Sequence, residues 1–294
     1  TDARDRIVRS ALFALIVALT LAIFWAPLTM LLRFSFREEQ YSHIVLIPLI
    51  SASLFYLERR RIFSRLATQW PAGFGLLAAG TLLYWFGLHH SASLSENDRL
   101  AMAVFPVVLI WIGGFVLSYG LRASRAGVFP LLFLLLMVPL PDVFLDRAIY
   151  WLQIGSAEVT YALFQGVDVP VLRTGLVFAL PGLTIEIAKE CSGIRSSMAL
   201  LITSLLAGHL LLRSVWRKAA LTMATMPLLL IKNGVRIVTL SLLAIYVDPG
   251  FLTGPLHRQG GLVFLLLALA ILLPVLLWLR RSERIAAGKP VDVV

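Results

Sequence analysis

Long apolar segments recur along the whole chain, and they constrain its fold more than any other feature. A helix needs about 20 consecutive, mostly apolar residues to cross a bilayer. Hydrophobic residues make up 59% of the 294-residue sequence and charged residues only 14%, whereas an ordinary soluble domain has roughly 45–50% and 25%. This composition excludes a soluble enzyme, a disordered chain and a fibrous protein. We therefore expect an all-α polytopic membrane protein with about eight transmembrane helices, at residues 8–32, 44–58, 71–89, 101–120, 127–141, 193–212, 219–247 and 260–279.

The positions of Lys and Arg predict the orientation of these helices. The formal net charge is +10, and 16 of the 26 basic residues fall in alternate loops that are cytoplasmic if the N-terminus is cytoplasmic. Cytoplasmic loops of membrane proteins are enriched in Lys and Arg, so we expect both termini inside. Because the arginines flank apolar segments, the excess charge indicates contact with the lipid bilayer and not with nucleic acid. The first apolar segment is too long for a signal-peptide core and lacks a cleavage site, so we expect it to be a retained anchor.

One long segment between the fifth and sixth predicted spans does not fit a helical bundle. It covers residues 139–190, on the predicted outer side. After a Pro-Leu-Pro break, apolar residues at near-helical spacing predict an amphipathic helix over 143–166. Two apolar runs around a Pro-Gly turn at 181–182 predict a β-hairpin. We therefore expect a single integral-membrane domain, residues 1–294, in which 139–190 form a small extracytoplasmic cap.

The only cysteine lies where this cap ends and the sixth span begins. The surrounding sequence, Lys189-Glu-Cys-Ser-Gly-Ile-Arg-Ser-Ser197, predicts that Cys191 sits at a helix N-terminus near the outer membrane face. Such a terminus carries roughly half a positive charge, lowers the pKa of a thiol and offers free N–H groups to an oxyanion. Gly193 would let a substrate backbone come close. The alternative is a buried structural cysteine, with Ser192 as the helix cap.

Two further polar groups are predicted in the outer half of the bundle. Arg236 lies inside the seventh span with Lys232 and Asn233, where a charge is costly unless it has a function. It either locks helices together through a carbonyl or carboxylate, or it faces a polar cavity and stabilises an anion. His257 lies in the outer loop before the eighth span; it is either simply solvated or an acid or base that works near neutral pH. A nucleophile, an anion stabiliser and a proton shuttle form a workable set for acyl transfer.

These motifs resemble the exosortase/archaeosortase family. The resemblance rests on the Glu-Cys-Ser-Gly-Ile-Arg-Ser run at 190–196, the Asn-x-x-Arg-Ile run at 233–237, His257, and a Tyr-Ser-His piece at 41–43. In the bacterial branch that last piece is often followed by Gly, where this chain has Ile44. By residue match, the resemblance implies that Cys191, Arg236 and His257 are catalytic and that the supporting or substrate-binding residues are Glu190, Ser192, Gly193, Arg195, Asn233, Tyr41 and His43.

The resemblance also implies a function. We expect this chain to be a cysteine protease and transpeptidase of the bacterial cytoplasmic (inner) membrane, since members of the family are integral-membrane cysteine enzymes. They recognise membrane-anchored proteins with a C-terminal sorting tail: a short motif such as Pro-Glu-Pro, a transmembrane helix and a basic cluster. They cleave near the motif and pass the new terminus to an acceptor nucleophile, which is unknown here. We expect a thioester intermediate on Cys191, an active site at the extracytoplasmic face, and no cofactor or metal.

A multi-pass transporter, or an accessory component of exopolysaccharide export, is the main alternative. In that case Lys232, Asn233 and Arg236 would line an anion path, although the sequence has no inverted repeat or pair of broken helices to support it. A zinc hydrolase would need a helix with a His-Glu-x-x-His motif, and a rhomboid protease would need a Gly-x-Ser-x-Gly motif. The sequence contains neither motif. A transporter has little use for the thiol of Cys191, so a requirement for this thiol separates the two functions.

Overall fold

The computed structural model describes residues 3–64, 66, 70–90, 93–252, 254 and 261–286. Helices account for most of this part of the chain, as predicted for an all-α membrane protein. The helices are α1 (Ala3–Ile23), α2 (Trp25–Arg37), α3 (Leu46–Leu57), α4 (Arg59–Ile62), α5 (Trp70–His90), α6 (Glu96–Ala126), α7 (Val128–Phe133), α8 (Asp142–Gly166), α9 (Ile194–Leu211), α10 (Val215–Tyr246) and α11 (Gly261–Ala286), and the strands are β1 (Leu172–Thr174), β2 (Val177–Leu180) and β3 (Leu183–Glu186).

Six of the described helices are long and apolar enough to cross a membrane: α1, α5, α6, α9, α10 and α11. They correspond to the first, third, fourth, sixth, seventh and eighth predicted spans. A seventh span results if residues 128–137 and 142–166, which meet at an angle of 91°, are counted as one broken span. The polytopic all-α fold is thus confirmed, with six or seven described spans where the hydropathy pattern suggested about eight.

The second and fifth predicted spans are too short to cross a bilayer by themselves. Helix α3 has 12 residues, which is about 18 Å at the usual helical rise, and the hydrocarbon core is about 30 Å thick. Helix α7 has 6 residues and continues only as a 3-10 turn to Met137. Pro139 and Pro141 follow, and proline cannot continue a helical hydrogen-bond ladder.

The first apolar segment forms two helices, although the sequence suggested one span over 8–32. Helix α1 ends at Ile23 and α2 begins at Trp25. Pro27 lies in the first turn of α2, where proline is tolerated, but in a continuous helix its ring would clash with the carbonyl of Ile23. The break between α1 and α2 follows from this clash.

The described residues form two compact units, divided between Leu145 and Asp146. In the first unit α6 is the most extensively buried helix, and its aromatic residues Phe115 and Tyr119 belong to a core cluster with Ile62, Ala123 and Leu131. In the second unit α9, α10 and α11 pack through a leucine-rich core: Leu200, Leu212, Leu221, Leu228, Leu229, Ala268, Leu272, Leu276 and Leu279. That residues 1–294 form a single domain stays a prediction.

The segment predicted to form the cap contains the predicted amphipathic helix, α8, and a sheet with one strand more than predicted. The sheet has three antiparallel strands in the order β1-β2-β3, whereas the sequence indicated a two-stranded hairpin. The predicted Pro-Gly turn joins β2 to β3, and its Gly182 has φ 74°, a conformation that glycine adopts without strain. One face of the sheet packs against α8 through Phe178 and Phe164, which are both fully buried.

The last helix fixes the start of α10. The Glu283 carboxylate in α11 accepts hydrogen bonds from the backbone N–H groups of Arg213, at 3.0 Å, and Ser214, at 2.6 Å. These groups lie at the junction of α9 and α10, where no preceding turn supplies their acceptors. Arg217 in the first turn of α10 in turn donates to the Ser282 hydroxyl at 3.1 Å. One end of the helix that carries Arg236 is therefore anchored by side-chain contacts.

Candidate active site

Cys191 lies in a 3-10 turn, Lys189–Ser192, between β3 and α9. Helix α9 begins only at Ile194, and its N-cap is Gly193, with φ 73°. The cysteine therefore precedes the helix N-terminus that the sequence predicted for it, and Gly193 provides the sharp change in direction between them. The N-cap is Gly193 and not Ser192, so Ser192 does not occupy the capping position, and the catalytic role of Cys191 stays a prediction. Ser192 is instead fully buried.

The backbone of Cys191 is held by α10. The Asn233 side-chain amide Nδ2 donates to the Cys191 carbonyl oxygen at 2.9 Å and to the Ser156 hydroxyl oxygen at 3.0 Å. Asn233 is 1% exposed, and a buried hydrogen bond of this kind is costly to break because it leaves a polar group unsatisfied. A single amide group thus joins the cysteine turn to both α8 and α10.

Gly193 is required by this contact as well as by its backbone conformation. A Cβ atom at position 193 would lie 2.8 Å from Asn233 Oδ1, closer than van der Waals contact permits. A side chain is also disfavoured at φ 73°. The predicted role, close approach of a substrate backbone, stays a prediction; the structure supplies a second reason for glycine, which is the packing of the turn onto Asn233.

Two further contacts anchor the chain on either side of Cys191. Gln153 of α8 donates from Nε2 to the Ile187 carbonyl oxygen at 2.6 Å. Lys232 donates from Nζ to the Ser196 hydroxyl, which itself donates to the Gly193 carbonyl oxygen at 3.1 Å. Lys232 is 3% exposed. The turn is therefore fixed before, at and after the cysteine.

Helices α8 and α10 are close enough to share these contacts because glycine lies between them. A Cβ atom on Gly234 would lie 2.6 Å from Val159 Cγ1. The absence of a side chain lets α8 and α10 approach closely, and this approach brings Ser156 within reach of Asn233. Substitution of Gly234 would push the two helices apart and break the hydrogen bonds that depend on their spacing.

Cys191 and Arg236 line the same cavity, which has a volume of about 200 Å³. Arg236 lies close enough to Cys191 for the two side chains to interact electrostatically. Because most of the wall is apolar, the local dielectric is lower than in water and a guanidinium group acts more strongly on a nearby negative charge. The remaining lining residues are Ile185, Glu186, Ile187, Ile237, Leu240, Ser241 and Leu252.

This arrangement suits covalent acyl transfer. A thiolate can attack a carbonyl carbon placed in the cavity, and a guanidinium can donate hydrogen bonds to the oxyanion that forms. The structure therefore brings together two of the three residues that the sequence predicted to be catalytic. Among the described residues, no group of three or more His, Cys, Asp or Glu side chains could hold a metal ion.

Other predicted site residues lie elsewhere in the chain. Arg195 is exposed in the first turn of α9 and does not line the cavity. His257 lies outside the described residues, as does the side chain of Glu190. Tyr41 and His43 belong to the first unit, whereas Cys191 and Arg236 belong to the second. Their assigned roles stay predictions.

Tyr41 and His43 occupy a connection between α2 and α3. The Tyr41 ring is buried and packs on Phe34, with 5.0 Å between ring centroids. Burial, reinforced by the charge of Asp142, raises the pKa of Tyr41. Burial lowers the pKa of His43 below its usual value of 6.5. Both side chains are therefore uncharged at neutral pH.

Sequence reasoning missed the polar side chains of α8 that support the cysteine turn. Gln153, Ser156 and Thr160 are all buried, and their spacing places them on one face of the helix. A usable signal was present, because polar residues on the buried face of an amphipathic helix indicate a buried hydrogen-bond network. Glu186, which lines the cavity, was also missed.

Comparison with known protein families supports the resemblance. The family model described as transmembrane exosortase (Exosortase_EpsH) matches residues 35–274. This range includes both Cys191 and Arg236 and most of each unit. The chain belongs to the transmembrane exosortase family. No curated protein and no solved structure matches it. The family predicted from the motifs is thus confirmed, and the cavity described above is the candidate active site of this exosortase.

Proposed function

We propose that this exosortase is a membrane-embedded cysteine endopeptidase and transpeptidase. Its substrates are exported proteins with a C-terminal sorting tail, made of a short motif such as Pro-Glu-Pro, a transmembrane helix and a basic cluster. The observation that carries the proposal is the cavity that Cys191 and Arg236 share, since these residues come from different elements and are the two groups that acyl transfer needs.

The proposed reaction has two steps. The Cys191 thiolate attacks the scissile carbonyl carbon, and Arg236 stabilises the oxyanion of the tetrahedral intermediate. Breakage of the C–N bond leaves the upstream segment as a thioester on Cys191, and the amine of the released tail takes up a proton that we assign to His257. An acceptor nucleophile then attacks the thioester carbonyl and regenerates the thiol. The acceptor is water in proteolysis and an amine or another nucleophile in transpeptidation.

The proposed substrate tail explains why the candidate active site has few polar groups. A substrate held by its own transmembrane helix is confined to the bilayer, and such tethering raises its effective concentration at the enzyme. Weak contacts to the motif then suffice for productive binding. We propose that both termini of the chain and the basic tail of the substrate are cytoplasmic, so that the cavity lies at the extracytoplasmic face of the bacterial inner membrane.

The described contacts give no support to an anion path along α10. Lys232 donates to Ser196, and Asn233 donates to Cys191 and Ser156. Neither Lys232 nor Asn233 is among the residues that line the cavity. Of the three polar groups on which the transporter alternative depended, only Arg236 faces the cavity, and it does so beside the thiol.

Trapping of the acyl intermediate tests the proposed function. The purified protein in nanodiscs is incubated with a synthetic peptide that carries a Pro-Glu-Pro motif, an apolar span and a Lys/Arg-rich tail, with and without hydroxylamine. Because hydroxylamine attacks thioesters, we expect the upstream product to carry a C-terminal hydroxamate, detected by mass spectrometry. Cleavage without any hydroxamate, at hydroxylamine concentrations that cleave a model thioester, would contradict the thioester step. If the protein cleaves none of the tailed peptides, the proposed protease activity is contradicted.

His257 is proposed to move the proton between the thiol and the leaving amine. We expect His257→Ala to slow acylation by about 10²–10⁴-fold, the usual contribution of a positioned acid or base, and to leave substrate binding largely intact. The wild-type rate should rise and then fall with pH, because the reaction needs both a thiolate and a protonated imidazole. The measurement is peptide cleavage across roughly pH 5–9, and the control is Arg258→Ala, which changes the neighbouring residue. An unchanged rate and pH profile in His257→Ala would remove His257 from the mechanism.

A further inference from the structure

Strand β3 is an edge strand of the cap sheet. The strand order is β1-β2-β3, so β3 pairs with β2 on one side only. Within the described residues no strand occupies its other side. An edge strand presents a row of backbone N–H and C=O groups that can pair with another extended chain. Thr184 and Glu186 of this strand are both exposed.

The hydrogen-bond register identifies which groups point outward. Glu186 lies opposite Val177, and the next pair along the ladder is hydrogen-bonded, because the Ile187 N–H donates to the Leu176 carbonyl oxygen at 3.0 Å. Hydrogen-bonded and non-hydrogen-bonded pairs alternate in an antiparallel ladder. The N–H and C=O groups of Thr184 and Glu186 therefore point away from β2.

Most of these outward groups have no partner in the described structure. The Glu186 carbonyl oxygen accepts from the Ala188 N–H at 3.0 Å, which closes the end of the strand. The N–H and C=O of Thr184 and the N–H of Glu186 make no hydrogen bond to any described residue. One acceptor and two donors are thus spaced along the edge as an incoming strand would require.

The cavity with Cys191 borders the end of this strand. Ile185, Glu186 and Ile187 all line it, and β3 ends at Glu186. The cavity therefore reaches the last residues of β3, including Glu186, whose N–H points away from β2. Its other wall is α10, through Ile237 and neighbouring residues. A peptide that extended β3 would enter the cavity directly.

We propose that the extended segment of the substrate that precedes its transmembrane helix binds as a fourth strand on the open edge of β3. This inference rests on the proposed function and specifies how the substrate is held. Backbone hydrogen bonds to Thr184 and Glu186 recognise the peptide in an extended conformation, whatever its exact sequence. Alternate side chains of the peptide face the apolar cavity wall and the solvent. Beyond Glu186 the enzyme's own chain turns to Cys191, and the scissile carbonyl of the bound peptide lies next to the Cys191 thiol.

Single N-methylation along the substrate peptide tests this pairing. Every second N–H of a bound strand faces β3, and replacing it by N–CH₃ removes a hydrogen bond and places a methyl group against the strand. We expect cleavage efficiency, kcat/KM, to fall roughly tenfold or more at alternate positions upstream of the cleaved bond and to change little at the positions between. Sensitivity without a two-residue period would overturn the β-pairing while leaving the protease in place. If even the unmodified peptide is not cleaved, the proposed function itself fails.

A proline variant tests the enzyme side. Thr184→Pro removes an N–H that does not serve the β2–β3 ladder, and proline is tolerated at outward-facing positions of edge strands. We expect Thr184→Pro to lower kcat/KM at least roughly tenfold relative to Thr184→Ala, through KM. Arg173 occupies the equivalent outward position on β1, opposite Phe178, so the matched pair Arg173→Pro and Arg173→Ala should differ little from each other.

Folding and binding controls complete this test. The unfolding temperature in nanodiscs should be similar for Thr184→Pro and Thr184→Ala. Binding of the unmodified peptide to a Cys191→Ala background, with and without Thr184→Pro, measures the pairing without any need for turnover. Equal peptide affinity in these two variants, with both folded, would overturn the proposal.

Discussion

Replacing Cys191 by alanine is expected to abolish substrate processing while the protein still folds and inserts. The thiol is the only group in the described cavity that can form a thioester, and removal of a catalytic nucleophile commonly costs on the order of 10⁶-fold in rate. The fold should tolerate the change, because the contact that fixes the turn uses the backbone carbonyl of Cys191 and not its sulfur. Full-length tailed substrate should accumulate in cells that carry the variant, as measured by immunoblot.

Ser241→Ala is a matched control for this experiment. Ser241 also lines the cavity, but its hydroxyl donates to the Ile237 carbonyl oxygen within α10, at 2.8 Å, so its removal should leave processing near normal. Normal processing by Cys191→Ala would contradict the cysteine mechanism. In the wild type, a membrane-impermeant maleimide should label Cys191 from the outer side only. Labelling from the cytoplasmic side would contradict the proposed orientation.

Replacing Arg236 by lysine is expected to remove most activity even though the positive charge is kept. Arginine presents a planar fork of donors, whereas lysine presents a compact ammonium on a flexible stem and can lose its proton when buried. Loss of one oxyanion donor typically costs about 2.7–4 kcal/mol of transition-state stabilisation, or about 10²–10³-fold in rate. The measurement is kcat for the tailed peptide, and KM should change less than kcat.

Arg195→Lys is the corresponding control. Arg195 follows Cys191 closely in sequence, but it is exposed and does not line the cavity, so this conservative change should cost much less than Arg236→Lys. Wild-type turnover in a normally expressed Arg236→Lys variant would indicate that Arg236 only holds helices together. A strong loss in Arg195→Lys would show that the active site extends beyond the described cavity.

Hydropathy predicted the long spans because the bilayer sets a minimum length for an apolar helix. The same reasoning was wrong at positions where a single residue determines where a helix or strand begins and ends. The segment 8–32 is divided by Pro27, whose effect on the carbonyl of Ile23 does not change the mean hydropathy of the segment. Strand β1 was missed because it is a three-residue strand that contains Arg173, and such a strand gains its stability from pairing with β2 and not from its own pattern.

The candidate site was also predictable only in part. Arg236 could be identified because a charge in a span is expensive, and Cys191 because it is the only thiol and lies beside a Ser-Gly pair. The contacts of Gln153 and Ser156 could not be predicted, since they depend on the spacing of α8 and α10. The left-handed conformation of Gly193 was equally invisible, because glycine in a sequence is compatible with many backbone conformations.

Helix α10 carries both Asn233, which anchors the turn of Cys191, and Arg236, which we propose to stabilise the anion. Asn233 and Arg236 are separated by three residues, which is about 4.5 Å along the axis. A membrane helix can accommodate a change in bilayer thickness by tilting. Because the Asn233 amide bonds the Cys191 turn to α10, a tilt of α10 displaces Asn233, Arg236 and this turn together. The alignment of the reacting groups is thereby insulated from the mechanical state of the surrounding lipid.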